Sequence, residues 1–124
     1  MIDFKNGSIF KLASASEKEY VDYISRFMVA DEQILSTFKG IRDGVVFTNK
    51  RIIAINVQGV TGKKKDFTSL PYSKIQAFSV ETAGVFDWDS ELEIWFSGMG
   101  MVKFEFTDHT DITQICKIIS TFTL

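Results

Sequence analysis

The 124-residue sequence holds one cysteine, one histidine and one proline, and each scarcity closes off a class of protein. Cys116 alone cannot form an internal disulfide, and with a single histidine beside it no zinc site of ordinary ligand count can be assembled. A hydrolytic Ser/His or Cys/His pair would have to use His109, which is flanked by Asp108 and Asp111, whereas Cys116 falls on a helix face predicted to be buried. No catalytic residue, metal ligand or cofactor site is therefore assigned. Long apolar runs are also missing: residues 45–47 and 51–57 are far shorter than the ~20 needed to cross a bilayer as a helix. Asp3 and Lys5 interrupt the first ten residues, where a signal peptide would have its apolar centre. A soluble, cytoplasmic protein is expected.

Two motifs come close to known ligand sites and fail on spacing. Asp87-Trp88-Asp89-Ser90-Glu91 sets carboxylates at alternate positions, but Leu92 stands where a calcium loop needs glycine, and a strand follows at once. Gly59-Val60-Thr61-Gly62-Lys63-Lys64 puts glycine beside lysine, yet it lacks the phosphate-loop spacing and joins two strands instead of opening a helix.

What is abundant is core material, with 45% apolar residues and 12 phenylalanines. That suffices for one domain spanning residues 1–124. Net charge is only −2, which argues against a nucleic-acid partner held over the whole surface. The charge is unevenly placed: residues 39–65 carry 7 basic and 1 acidic side chains, and residues 66–124 carry 3 basic and 9 acidic. The two segments thus differ in sign, +6 against −6, as suits either an anion site or contact between the basic face of one copy and the acidic face of the next.

The apolar period is helical at both ends and two-residue between them. Ser16-Glu17-Lys18-Glu19 reads as a capping box, followed by a stripe of Tyr20, Val21, Ile24, Phe27 and Met28, so residues 1–30 form an N-terminal helical extension. Residues 31–124 form the barrel and its capping helix. Seven antiparallel strands are expected at 34–38, 45–48, 51–57, 64–70, 75–82, 91–96 and 101–107. Asn49-Lys50 is expected to turn through a positive φ at Asn49, and the fourth strand stops at Pro71. Leu92, Ile94 and Phe96, with Val102, Phe104 and Phe106, alternate cleanly onto one face and should be core. Asp108 or Thr110 caps a last helix whose apolar face holds Ile112, Ile115, Cys116, Ile119 and Phe122. The fold class is mainly β with helices: an antiparallel barrel closed by the terminal helix.

Two sets of residues stand out as candidate binding groups. Lys39 and Arg42 in the first inter-strand loop, with Lys63, Lys64 and Lys65 at a later one, can hold an anionic head group if those loops share an end of the barrel. Trp95 alternates away from the core, and Phe86 and Trp88 lie in the loop before its strand, which marks all three for an oligomer interface.

Several phrases in order add a resemblance. Phe38-Lys39-Gly40-Ile41-Arg42-Asp43, Phe47-Thr48-Asn49-Lys50-Arg51-Ile52-Ile53, Gln58-Gly59-Val60-Thr61-Gly62-Lys63-Lys64, Pro71-Tyr72-Ser73-Lys74-Ile75, and the stretch from Phe78 to Leu92 together resemble the bacterial pleckstrin-homology-like domain family, from Ile34 to the C-terminus. The resemblance implies a seven-stranded, bent antiparallel barrel closed by a C-terminal helix. It also implies assembly into homo-oligomeric rings, and the exposed strand edges and aromatics suit a non-enzymatic module that binds copies of itself or a protein or peptide partner by added pairing. Eukaryotic relatives grip inositol phosphates with basic residues around the first inter-strand loop, and Lys39 and Arg42 are the counterparts here, so an anionic lipid is the second partner class implied.

Overall fold

A computed structural model describes Phe4, residues 10–86 and residues 88–124. Eight strands form one open sheet in the order β5-β4-β3-β2-β1-β8-β7-β6. They are β1 (Phe10–Ser14), β2 (Ile34–Lys39), β3 (Asp43–Thr48), β4 (Arg51–Gln58), β5 (Lys64–Pro71), β6 (Ile75–Glu81), β7 (Ser90–Phe96) and β8 (Gly100–Phe106). Helix α1 (Lys18–Ile24) lies between β1 and β2, and α2 (Ile112–Thr123) ends the chain.

The expectation of seven antiparallel strands is corrected by β1. This strand pairs antiparallel with β2 and parallel with β8, so it joins the two halves of the sheet, and residues 1–30 are not purely a helical extension. Its sequence gives little warning, because among its described side chains Leu12 is the one fully buried apolar group while Lys11 and Ser14 are exposed. Pairing selects the strand: the slot between β2 and β8 leaves main-chain groups to satisfy, and beyond the ladder Thr107 N donates to the Leu12 carbonyl at 2.8 Å.

Inside the bent sheet, all six alternating residues of β7 and β8 are buried, together with Val45, Phe47, Ile52 and Ala54 from the other half. Ile112, Ile115, Ile118 and Ile119 of α2 close this core, and the Phe122 ring stacks on Tyr72 at 5.6 Å. Cys116 is only half buried, and Ile118 takes the core position beside Ile119. The cap of α2 is Asp111, whose carboxylate accepts from Thr113 N at 3.1 Å. Asp108 instead accepts from Ser14 N at 2.7 Å, fastening the end of β1 to the approach to α2.

Helix α1 lies on the outer face of the other half. Tyr20 and Ile24 pack on Val46, Ile53 and Ile55, which point away from the main core, so β3 and β4 are buried on both faces and lose the polar alternation seen in β7. The expected capping box is not formed. Ser16 Oγ accepts from Lys18 N at 3.2 Å, and the Glu19 carboxylate ion-pairs with Lys39 at 2.6 Å instead of turning back to its own helix. Asn49 does not take a positive φ, which among described non-glycine residues belongs to Asp31. Its side chain accepts from Gln33 N at 2.8 Å and donates to the Asp31 carbonyl at 2.9 Å, so it holds the β3–β4 turn by bonding.

Candidate functional site

The two charge segments of the sequence occupy different parts of the sheet. Residues 39–65 run from the end of β2 through β3 and β4 into β5, and β6 to β8 lie in the acidic segment, so β2 and β1 separate most of one from the other.

At the basic end, Lys39, Arg42 and Lys65 line one cleft of about 190 Å³ with Glu19, Tyr20 and Tyr23 of α1. Each cation already has an acceptor. Lys39 pairs with Glu19, Arg42 Nη2 donates to the Gly59 carbonyl at 2.6 Å, and Lys65 Nζ donates to the Gly62 carbonyl at 3.1 Å. Lys65 also sits 4.6 Å from the centre of the Tyr23 ring, a cation–π distance. Lys63 and Lys65 line a wider cleft of about 490 Å³ beside Tyr23, Arg26, Phe27 and Phe67. Lys64 lines neither of these two clefts. The Tyr20 hydroxyl lies 3.3 Å from the Asp43 carbonyl, and burial, with the neighbouring charges of Glu19 and Asp43, pushes its pKa up to about 12.

On the outer face of β6 to β8 the cross-strand pairs form three rows. Ala77, Trp95 and Met101 make an apolar row, Ser79, Glu93 and Lys103 a mixed one, and Glu81, Glu91 and Glu105 an acidic one that meets Lys11 of β1. Directly opposed carboxylates repel, and Lys103 offsets part of this by approaching Glu91 at 3.1 Å and Glu93 at 3.9 Å. Burial, a hydrogen bond with Asp89 and the charges of Asp89 and Glu91 raise the Glu105 pKa, against the pull of Lys11. Trp95 is 36% exposed on this face, and α1 does not cover it because that helix packs on the β3–β5 half.

Phe86 is fully exposed in the β6–β7 loop, next to exposed Val85, and Trp88 is 61% exposed with its ring 4.3 Å from that of His109. Trp88 and Trp95 are not neighbours: Ser90 to Trp95 alone spans about 17 Å of extended chain. The three aromatics singled out in the sequence therefore form two surfaces, one at each end of β7. Asp87 lies outside the described residues. Among the described residues no group of three or more His, Cys, Asp or Glu side chains is arranged to hold a metal, and no helix is long and apolar enough to cross a membrane.

Sequence reasoning missed one polar constellation, built on Glu32 at the entry to β2. Its side chain is fully buried, and its carboxylate accepts from Arg51 Nε at 2.9 Å, Arg51 Nη2 at 2.8 Å, Thr48 Oγ1 at 2.7 Å and Val29 N at 3.1 Å. Burial by itself raises the Glu32 pKa, but those donors outweigh it and hold the group below its ordinary value. Arg51 continues to the Phe27 carbonyl at 2.7 Å and Ser69 Oγ at 2.9 Å, so this one side chain ties the end of the first helical segment to β4 and β5. With every acceptor of the carboxylate occupied, this is a structural clasp and leaves no free group for chemistry.

Similarity to known proteins agrees with the geometry. The family model described as "Bacterial PH domain" matches residues 3–123, which brings β1 and α1 into the domain as well as the stretch from Ile34 onward. The uncharacterized protein YjqA of Bacillus subtilis (strain 168) is 42% identical over 121 residues, covering 96% of this chain and 94% of its own. A crystal structure of a DUF1696-family protein with a pleckstrin-homology domain from Shewanella loihica PV-4 superimposes with a TM-score of 0.80 at 42% identity, over 93% of this chain and 99% of that one. A pleckstrin-homology domain from Shewanella amazonensis SB2B gives 0.66 at 41% identity, over 89% and 92% of the two chains. The eight strands, the closing helix and these matches have one reading: the chain belongs to the bacterial pleckstrin-homology domain family.

Proposed function

We propose that this chain is a non-enzymatic, cytoplasmic module that assembles with copies of itself and presents the assembled surface to protein partners. The observation that carries this reading is the outer face of β6 to β8, where Trp95 and Met101 are exposed side by side on a half of the sheet that α1 leaves open. Large apolar side chains in such a place favour association, and the separation of basic from acidic strands favours a head-to-tail contact over a two-fold one. Sedimentation velocity of the purified chain at tens of micromolar tests it. An oligomer is expected, and Trp95→Ala should weaken assembly by more than ~1 kcal/mol per interface while leaving the melting temperature of the monomer nearly unchanged. A parent that sediments as a monomer rules the reading out.

A second reading, an anionic ligand or lipid headgroup at Lys39, Arg42 and Lys65 with Lys63 and Lys64 at the rim, is favoured by the cleft those first three share. It ranks lower because the three cations already hold acceptors in the chain, which a ligand would have to displace. Flotation with vesicles containing anionic lipid at low salt separates the two: binding lost on charge reversal at Lys63 and Lys64 supports it, and no binding by the parent ends it.

A further inference from the structure

The wider cleft at the basic end has an unusual lining. Tyr23, Arg26 and Phe27 come from α1 and the 3-10 turn after it, and Lys63, Lys65 and Phe67 from the start of β5 and the turn before it. Three rings and three cations thus surround about 490 Å³, and among the described residues no carboxylate lines the space. The rings of Phe27 and Phe67 meet at 5.0 Å, Lys65 lies over Tyr23 at 4.6 Å, and the Arg26 guanidinium is 5.5 Å from the centre of the Phe27 ring. Phe27 is nevertheless 46% exposed. Such a surface fits a short segment that offers aromatic rings between acidic groups: rings stack on rings, and each lysine or arginine meets a carboxylate.

The same chain contains a segment of that chemistry. Val85-Phe86-Asp87-Trp88-Asp89 alternates apolar and acidic residues, and Val85, Phe86 and Trp88 are all exposed. Phe86, with its whole surface in solvent, gains nothing from its own domain. The cleft flanks β5 and the loop leaves β6, and these are the two edge strands of the open sheet.

We propose that the β6–β7 loop of one copy docks in the Tyr23/Arg26/Phe27/Lys63/Lys65/Phe67 cleft of a second copy, with Phe86 and Trp88 against its rings and Asp89 against its cations. This rests on the reading that the chain self-associates, and it adds the loop and the cleft to the Trp95 face as a second part of one contact, without which that face does not hold two copies together. The contact is heterologous: after docking, one copy still has a free loop and the other a free cleft, so growth continues past the dimer until it closes. Arg26, exposed at the rim, acquires a use that its contact with the Phe27 ring alone does not give it.

Two variants test it, one with the loop disabled (Phe86→Asp with Trp88→Ala) and one with the cleft disabled (Arg26→Glu with Lys63→Glu). All four positions are exposed, so both should melt like the parent. Each variant alone should sediment as a monomer. Mixed in equal amounts they should form a 1:1 dimer and nothing larger, because only the loop of the cleft variant and the cleft of the loop variant remain intact. Salt should loosen that dimer, and a charge swap of Lys63→Glu against Asp89→Lys should restore part of the contact. An assembling parent whose two variants assemble as it does overturns this contact and leaves self-association standing; a parent that is monomeric throughout overturns both. Monomeric variants that stay monomeric when mixed also overturn the loop-in-cleft pairing.

Discussion

Tyr20 lies flat across Gly44, so close that a Cβ added at Gly44 would fall 2.3 Å from Tyr20 Cζ and 2.4 Å from its hydroxyl oxygen. The ring is held where it is by burial against β3 and β4 and by the Asp43 carbonyl, so it cannot swing aside freely. Gly44→Ala should therefore lower unfolding stability by about 1–3 kcal/mol, the usual range for overpacking. Chemical denaturation of Gly44→Ala, Tyr20→Ala and the double variant makes the check sharper. The double variant should lose clearly less than the sum of the two singles, since removing the ring removes the clash. Strict additivity would mean that the two residues do not meet.

The Glu32–Arg51 clasp predicts both a large mutational cost and an acid limb. Arg51→Met strips two hydrogen bonds from a fully buried carboxylate and should destabilise the fold by about 3–5 kcal/mol, whereas replacing both partners with apolar residues should cost much less. Because the folded Glu32 pKa is depressed, its contribution is present above the unfolded value near 4.5 and is lost as pH falls through the folded value. Urea unfolding at a series of pH values should show stability falling below about pH 4.5, with a flatter limb in Glu32→Gln. Equal slopes in the two proteins would contradict the assignment.

How far the sequence revealed this depended on whether a residue's role was set by its own strand or by a distant one. The inner residues of β7 and β8 were legible because one face of that hairpin is core and the other, Trp95 and Met101 apart, is charged, so period two carries the answer. In β3 and β4 the same rule fails, since α1 buries Val46, Ile53 and Ile55 on the outer side and leaves a nearly continuous apolar run. Strand β1 was hidden by its shortness and by depending on partners about 25 and 95 residues away. Glu32 looked like one more acid at a helix end. Only the convergence of Thr48, Arg51 and Val29 makes it a buried anion, and no local pattern encodes that meeting. At the binding surfaces, exposure of Trp88 and Trp95 was readable, but their placement at opposite ends of β7 was not, nor was the contribution of α1 to the basic clefts.

Alkaline unfolding offers a check on the packing of α1. With its pKa raised from 10.0 to about 12, Tyr20 stabilises the fold as the neutral phenol, fully so below the unfolded value, and the contribution is lost as pH rises through the folded one. Tyr20→Phe should remove a late-titrating part of the ultraviolet phenolate signal, near pH 12 and earlier than that of Tyr72. It should also lessen the loss of stability between pH 10 and 12. Tyr72 is raised too by burial, so some alkaline slope should persist in the variant. A phenolate signal lost near pH 10 instead would place the Tyr20 hydroxyl in water, away from Asp43.

The acidic row on β6 to β8 carries the opposite kind of strain. Glu105 faces Glu91 directly across the ladder and shares a hydrogen bond with Asp89, and the result is a raised pKa, meaning that ionising Glu105 costs the folded state stability. Glu105→Gln keeps a donor for Asp89 and removes the repelling charge, at the expense of the attraction from Lys11. The carboxyl is partly exposed, so solvent screens most of the gain, and the variant should be more stable than the parent at pH 7 by a few tenths of a kcal/mol and at most about 1. As pH falls through the folded Glu105 value the parent carboxyl takes up its proton, and the difference between the two proteins should close. Paired thermal melts at pH 7 and pH 4 measure it, and a variant less stable than the parent at neutral pH would mean that Lys11, not Asp89 and Glu91, dominates the field at this position. The same row bears on assembly. Unfavourable charge left uncompensated inside one domain is relieved when a basic surface covers it, so if this face is buried between copies, Glu105→Gln should weaken the oligomer while strengthening the monomer, two shifts of opposite sign from one substitution.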